Sequence, residues 1–476
     1  MNNVINFEEK ISRLDLVDYW MKFFPEINNT EELEDLIREI SHHDLEVLIN
    51  KWEDNTYYSS DKETAILEET YSQDIENIFN KINREYFQFF NFFEPIIKHY
   101  INKYYGYILK LENIYNYELF ICNLIKQVYE KLYPIAYRVL ILEVNVAKSK
   151  NILNGDSAEE RFKFFSNMLL KNEHFLEQLF KEYKELISLL FYQAEVQILY
   201  ITNIVKETNS QLFNLYRKFE GLEGNLIETI SIGLGDSHQG GKSVSFINFT
   251  SGYRLVYKPR SLKMEDSYEK LLRWFDDKNI PNFKPLQSAK VHYTENSGWM
   301  EFIQFEGCNN IEEIKDFYYR TGQLLCLLYA LNSKDFHHEN LIAHGSQPIL
   351  IDLESLLHVD VHDSRDVKED AMSSIEKMIR SSVYSIYLLP SRIFSSDQAN
   401  VQVLDVGGIG GQKEQSSPFK VSVVKNNYTD NIKIDKGYTT ISPENNNPKV
   451  NGELQGSQCY IDDIEEGFIC LYNWIL

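Results

Sequence analysis

The sequence predicts an α+β protein with a large helical N-terminal region, and three observations carry that expectation. Between about residues 7 and 220, apolar residues recur at helical spacing with almost no Gly or Pro. At Gly221 the composition shifts to β-branched residues interrupted by Gly pairs, as strands and tight turns require. Beyond about residue 311 a helical stretch runs into a polar loop set between short apolar segments. The expected domains are a helical capping region over 1–220, a strand-rich lobe over 221–310, and a mixed lobe over 311–476.

In the first domain, Phe175, Leu176, Leu179, Phe180, Tyr183, Leu186, Ile187 and Leu190 are three and four residues apart, which predicts one continuous helix with a packing stripe. In the second, SVSFINF, an SGY turn and RLVYKP read as a hairpin, followed by a helix at SYEKLLRWFDD. In the third, residues 313–331 predict a helix that feeds the loop SKDFHHENLIAHGSQPILIDLE. Past residue 360 the periodic signal fades into SVYSIYLLP, a Gly-rich DVGGIGGQ and an Asn-rich stretch near 443–451 that is expected to be exposed. No internal repeat is visible.

A net charge of −23 repels phosphate backbones and anionic lipid, so nucleic acid is excluded as a general partner, while a local basic pocket for a nucleotide stays compatible with it. The five cysteines (Cys122, Cys308, Cys326, Cys459, Cys470) are scattered and odd in number, which suggests buried apolar side chains rather than disulfides or a zinc site. The opening MNNVINFEEKISRLD carries charges where a signal peptide needs an apolar core, and no apolar run reaches spanning length. A cytoplasmic location without a transmembrane segment is expected.

The chemistry concentrates in two places. Asn340 follows Asp335 by five residues, and Asp352 follows Asn340 by twelve within the apolar context ILIDLE. That spacing parallels the kinase pattern in which one Asp serves the attacking hydroxyl while an Asn and a later Asp hold magnesium. A helix cap and a turn residue would give the same D-x-x-x-x-N spacing without chemistry. Lys258 ends a short apolar strand after a Gly-containing hairpin, where a fixed ammonium clamps nucleotide phosphates; an exposed strand lysine is the plain alternative. Upstream, Gly235-Asp236-Ser237-His238-Gln239-Gly240-Gly241 lies where a phosphate-covering loop belongs, although it matches neither G-x-G-x-x-G nor a Walker A sequence. His337 and His338 could each serve chemistry or only hold the loop through a backbone carbonyl. His238 sits in a Gly-rich loop, which favours binding or proton transfer.

Taken together, GDSHQGGKSVSFINFTSGYRLVYKPRSL, DFHHENLI and PILIDLESLLH, in that order, resemble the dehydratase domain of class II lanthipeptide synthetases of the LanM type. SVYSIYLLP and DVGGIGGQ also resemble segments of that family. The likeness covers roughly residues 150–476 well and the helical part more loosely. It implies a two-lobed core similar to lipid kinases, and phosphorylation of Ser and Thr in a leader-bearing precursor peptide with ATP and Mg2+. Phosphate elimination to dehydroalanine or dehydrobutyrine would follow. It further implies that Lys258 binds ATP phosphates and that Asp335 and His337 belong to the catalytic loop. Asn340 and Asp352 would bind magnesium, Glu354 would support them, and Asp236 and His238 would form a pair near the substrate. A transporter or a separate cyclase would be further partners.

The sequence departs from that family in two ways. Gly467, Phe468 and Tyr472 match the segment that precedes the family's elimination motif, but the motif itself, with its arginine and threonine, does not follow. Nor does the cyclase domain with its zinc-binding Cys and His cluster. The expectation is therefore a chain that ends before the elimination motif, phosphorylates its peptide and is impaired in elimination. The alternative is a catalytically inactive module that binds the precursor. A generic protein kinase is disfavoured by the absence of HRD and DFG.

Overall fold

The computed structural model describes residues 29–41, 65–238, 241–359, 371–397, 400–443 and 445–475. They form a mixed fold of helices and strands, as the sequence predicts, divided into two compact units. The first unit takes the chain up to Lys206, with Gln239–Gly241 and Val421–Gly437. The second takes Glu207–His238, Lys242–Lys420 and Tyr438–Leu476.

The first unit is helical: α1 (Thr30–Ser41), α2 (Gln73–Asn80), α3 (Phe90–Ile108), α4 (Tyr117–Ser149), α5 (Ala158–Asn167), α6 (Glu173–Glu182) and the greater part of α7 (Lys184–Lys218). Helix starts follow short polar caps. Asn116 and Asn172 accept from backbone N–H groups three residues on, and Ser157 with Glu160 forms a reciprocal capping box on α5. The core comes from aromatic and branched residues at helical spacing, among them Phe92, Phe93, Ile96 and Ile97 on α3 and Phe120, Leu124, Val128 and Leu132 on α4. A hairpin of β11 (Val421–Lys425) and β12 (Lys433–Gly437) is fastened to this unit. Its buried Asp430 accepts from Arg161 Nε at 2.7 Å, and Asn145 donates to the Ile432 carbonyl.

The stripe expected on one continuous helix lies on two. Its backbone breaks at Tyr183, which takes φ −109° and ψ 47° while its hydroxyl donates to the buried Glu143 carboxylate at 2.6 Å. Periodicity survives the break because Tyr183 N–H bonds Leu179 O and Ile187 N–H bonds Tyr183 O, so the apolar face stays in phase.

The second unit is built on a five-stranded antiparallel sheet, ordered β1 (Ile227–His238), β2 (Lys242–Phe249), β3 (Arg254–Lys258), β5 (Gly298–Glu301) and β4 (Val291–Tyr293). The expected hairpin is present as β2 and β3, turned through Gly252 at φ +82°. The helix expected at SYEKLLRWFDD is α8 (Lys263–Asp276), extended upstream by a first turn carrying Glu265 and Asp266, where carboxylates favour the N-terminal dipole. Helix α9 (Ile311–Ala330) is the axis of this unit's core, packing Ile314, Phe317, Tyr318, Leu324, Leu327 and Leu328 among residues of α8 and of the hairpin β6 (Leu341–His344) and β7 (Gln347–Leu350). Small elements follow: α10 (Ala371–Arg380), β8 (Arg392–Asp397) with β9 (Asn400–Asp405), β10 (Gln415–Ser416) with β13 (Thr440–Ile441), and β14 (Lys449–Val450) with β15 (Glu453–Leu454).

The phrase FICLYNWI lies within α11 (Ile461–Ile475), which buries Leu471 and sets Trp474 against Trp274 and Phe275 while leaving Ile469 and Ile475 exposed. The Asn-rich stretch is exposed at Pro443, Asn445 and Asn451, as expected, but not at its centre. Asn446 and Asn447 are fully buried because their amides donate to the carbonyls of Gly408 and Gly410. Cys308 and Cys326 are buried, whereas Cys459 is exposed, and all five thiols are free. Among the described residues, no helix is long and apolar enough to cross a membrane.

Candidate functional site

The central strand β3 carries Lys258 at its end, and burial on both sides of the sheet leaves its side chain only 4% exposed. A buried ammonium needs partners, and this one donates to the Ile351 carbonyl at 2.9 Å and pairs with Asp352 Oδ2 at 3.3 Å. Asp352 sits just past β7. Its Oδ1 accepts from the Glu354 N–H at 3.3 Å, an Asx-type turn that fixes the carboxylate's direction.

Arg260, two residues after Lys258, joins three carboxylates. Its Nη2 lies 2.8 Å from Asp352 Oδ1 and 2.8 Å from Glu265 Oε1, Nη1 reaches Glu265 Oε2 at 3.3 Å, and Nε pairs with Glu354. Glu265 comes from the first turn of α8 and is almost fully buried. Burial pushes the Asp352 carboxyl upward, but Lys258 and Arg260 beside it more than offset that and hold it below the usual carboxylate range. For Lys258 burial dominates, and with Arg260 nearby it lowers the ammonium's pKa despite the attraction of Asp352 and Glu265.

The loop after α9 supplies the second half. Phe336 anchors it, buried in the core with its N–H on the Ile386 carbonyl. Asp335 adopts φ +64°, a left-handed conformation uncommon outside Gly, and its side chain is exposed. Asn340 donates to the Asp335 carbonyl at 2.8 Å across the five-residue spacing, and the Asn340 carbonyl accepts from the Ile351 N–H at 3.0 Å. The chain from Asp335 through Asn340 to Ile351 and Lys258 is therefore continuous in hydrogen bonds. His337 Nδ1 accepts from the Glu339 N–H, which puts the neutral ring's proton on Nε2, 3.8 Å from Asp335 Oδ1. His338 instead turns to the backbone, with ring Nδ1 3.1 Å from the Val406 carbonyl and its own N–H on the same oxygen.

The Gly-rich DVGGIGGQ segment supports this loop. Gly407 bridges His337, and a Cβ on Gly408 would lie 2.6 Å from the Phe336 carbonyl oxygen, so only a bare backbone fits. Asp236 and His238 are on β1, whose His238 pairs with Lys242; their side chains, with all of Gln239 and Gly240, lie outside the described residues.

Lys258, Asp352, Glu354, Asn340, Asp335 and His337 are thus neighbours in one unit, whereas the sequence reading did not single out Arg260 and Glu265. The signal available was the cation pair in Lys258-Pro259-Arg260 and an acidic first turn on the next helix. Among the described residues no group of three or more His, Cys, Asp or Glu is arranged to hold a metal by protein alone. The oxygen donors Asp352 and Asn340 nonetheless fit a hard cation such as Mg2+, which rests on one or two carboxylates and on substrate phosphates.

The family described as a domain of unknown function, DUF4135, matches residues 183–476, more than half of the chain. The chain belongs to that family. All of this DUF4135 protein's site residues fall inside the matched segment. It is also 27% identical over 353 residues to the lacticin 481/lactococcin biosynthesis protein LcnDR2 of Lactococcus lactis subsp. lactis. That match covers 71% of this chain and 37% of the relative, so the DUF4135 protein spans well under half the length of the curated relative it matches.

Proposed function

We propose that this protein is a lanthipeptide-type biosynthetic enzyme that phosphorylates Ser and Thr hydroxyls of a precursor peptide, the first step towards dehydrated residues. The observation that carries this reading is the hydrogen-bonded chain linking Lys258 and Asp352 to Asn340 and Asp335. The similarity to a lacticin 481/lactococcin biosynthesis protein supplies the substrate class. A two-lobed core of lipid-kinase type, with the helical unit helping to recognise the leader, belongs to the same proposal.

Bound Mg2+-ATP would supply the phosphoryl group and neutralise its charge as it transfers. Lys258 holds phosphate oxygens with an ammonium that burial keeps in one place. Asp352 and Asn340 hold the metal, with Glu354 beside them. The exposed Asp335 carboxylate orients the peptide hydroxyl and receives its proton, and His337, with its proton on Nε2 3.8 Å from Asp335 Oδ1, steadies that carboxylate. Asp236 and His238 are assigned to the substrate side.

The test is mass spectrometry of a candidate precursor peptide incubated with the protein, ATP and Mg2+, with Asp335→Asn and Lys258→Ala as controls. The expected product gains roughly 80 Da per phosphate, and both controls lose it. Losses of roughly 18 Da per site mean that elimination also proceeds in this chain. An unmodified peptide that nevertheless binds would sink the reading in favour of an inactive binding module.

A further inference from the structure

Both oxygens of Asp352 are already engaged. Oδ1 takes Arg260 Nη2 and the Glu354 N–H, and Oδ2 takes Lys258. Oδ1 thus has both lone pairs in use while Oδ2 has one, so a cation that takes Asp352 through Oδ1, or through both oxygens, must displace a resident partner. Lys258 is the fixed one, with a side chain 4% exposed and a second bond to the Ile351 carbonyl. Arg260 is more accessible, at 24%, and touches Glu354 as well as Asp352. Its fork is secured from behind by Glu265, a carboxylate 5% exposed that would be buried without a close guanidinium if Arg260 left altogether.

We infer that Arg260 is a positioning residue that stands in for the metal. It holds Asp352 and Glu354 together in the nucleotide-free protein and yields them when a divalent cation arrives with nucleotide. Glu265 keeps the released guanidinium at the site, where its free N–H groups face the incoming phosphates. The inference rests on the phosphoryl-transfer reading of this site and adds a consequence that reading lacks. Divalent cation alone binds the native protein poorly, because it competes with a tethered arginine.

The experiment measures Mn2+ bound to the full chain by equilibrium dialysis against a protein-free compartment, with and without ATP on both sides, so that Mn2+ held by ATP alone is subtracted. Wild type is compared with Arg260→Gln and Arg260→Lys, and each form is checked by its melting curve. Without ATP, Arg260→Gln is expected to bind Mn2+ at least about tenfold tighter than wild type, because a like charge has left the carboxylates. Its melting temperature, lowered without metal, rises on adding Mn2+. Arg260→Lys keeps the charge but cannot fork between Glu265 and Asp352, so it binds roughly threefold tighter. Arg260→Gln decides if its melting curve shows it folded, and Arg260→Lys decides otherwise. If the deciding variant binds Mn2+ no tighter than wild type while wild type still takes up Mn2+ with ATP, the stand-in role is overturned and the phosphoryl-transfer reading survives. If no form binds Mn2+ even with ATP, both fall.

Discussion

Asp335 is held in a left-handed conformation that costs an ordinary residue about 1–2 kcal/mol, and the loop tolerates it because Phe336 is locked into the core. Asn adopts that conformation as readily as Asp, so Asp335→Asn separates chemistry from folding. A different single residue contributes to the response to pH. Burial pushes the Glu143 carboxyl up to about 7, partly opposed by the Tyr183 hydroxyl that donates to it. A folded pKa above the unfolded one means that its stability contribution is complete below about 4.3 and is lost as pH rises through 7. The loss is of order 3 kcal/mol. Melting curves should therefore show Glu143→Gln gaining on wild type between pH 5 and 8, and a constant difference over that range would remove Glu143 from the account. The site's spacing was legible because Asp335, Asn340 and Asp352 lie on one short stretch, where local geometry fixes their distances. Arg260 was not, since only tertiary packing brings Glu265 of α8 and Glu354 of a later turn onto one guanidinium.

At the scale of elements, hydrophobic periodicity revealed the helical N-terminal region, α8, α9 and the β2–β3 hairpin, because each buries a face that its own sequence encodes, but it did not reveal α10 or α11. It did not reveal the break at Tyr183, where the backbone leaves helical geometry without disturbing the phase of the stripe. Nor did composition reveal the burial of Asn446 and Asn447, since amides that look solvated in sequence donate through Nδ2 to the carbonyls of a distant glycine segment, although their Oδ1 atoms find no partner. The contact of α9 with α11 was equally silent. Gly322 and Gly467 face the opposite backbone, and a Cβ on either would lie 1.9 Å from a carbonyl oxygen, of Ile464 and of Tyr319 respectively. Elsewhere in a helix, Gly→Ala stabilises by about 1 kcal/mol. Here the sign reverses, and Gly322→Ala or Gly467→Ala is expected to destabilise by at least about 2 kcal/mol, because backbone cannot move aside as a side chain can. Thermal unfolding followed by circular dichroism checks it, and an unchanged or raised melting temperature would mean that the helices separate freely.

For the whole molecule, charge would set how the nucleotide of the proposed reaction approaches. The chain carries −23, and the candidate site does not reverse that sign: Lys258 and Arg260 are outnumbered by Asp335, Glu339, Asp352, Glu354 and Glu265. A metal-free nucleotide, itself polyanionic, therefore meets repulsion both at a distance and at contact. Salt screens the distant part within about 10 Å at 0.1 M. Association of a fluorescent ATP analogue without divalent cation should consequently speed up as ionic strength rises, the reverse of an electrostatically steered ligand. Adding Mg2+ lowers the charge of the incoming complex and lets the metal take over Asp352, so it should raise the rate and flatten its dependence on salt. Stopped-flow measurements at a few salt concentrations decide the matter. A rate that falls with salt in the absence of Mg2+ would show that Lys258 and Arg260 outweigh the surrounding carboxylates and that the site draws in phosphate without the metal's help.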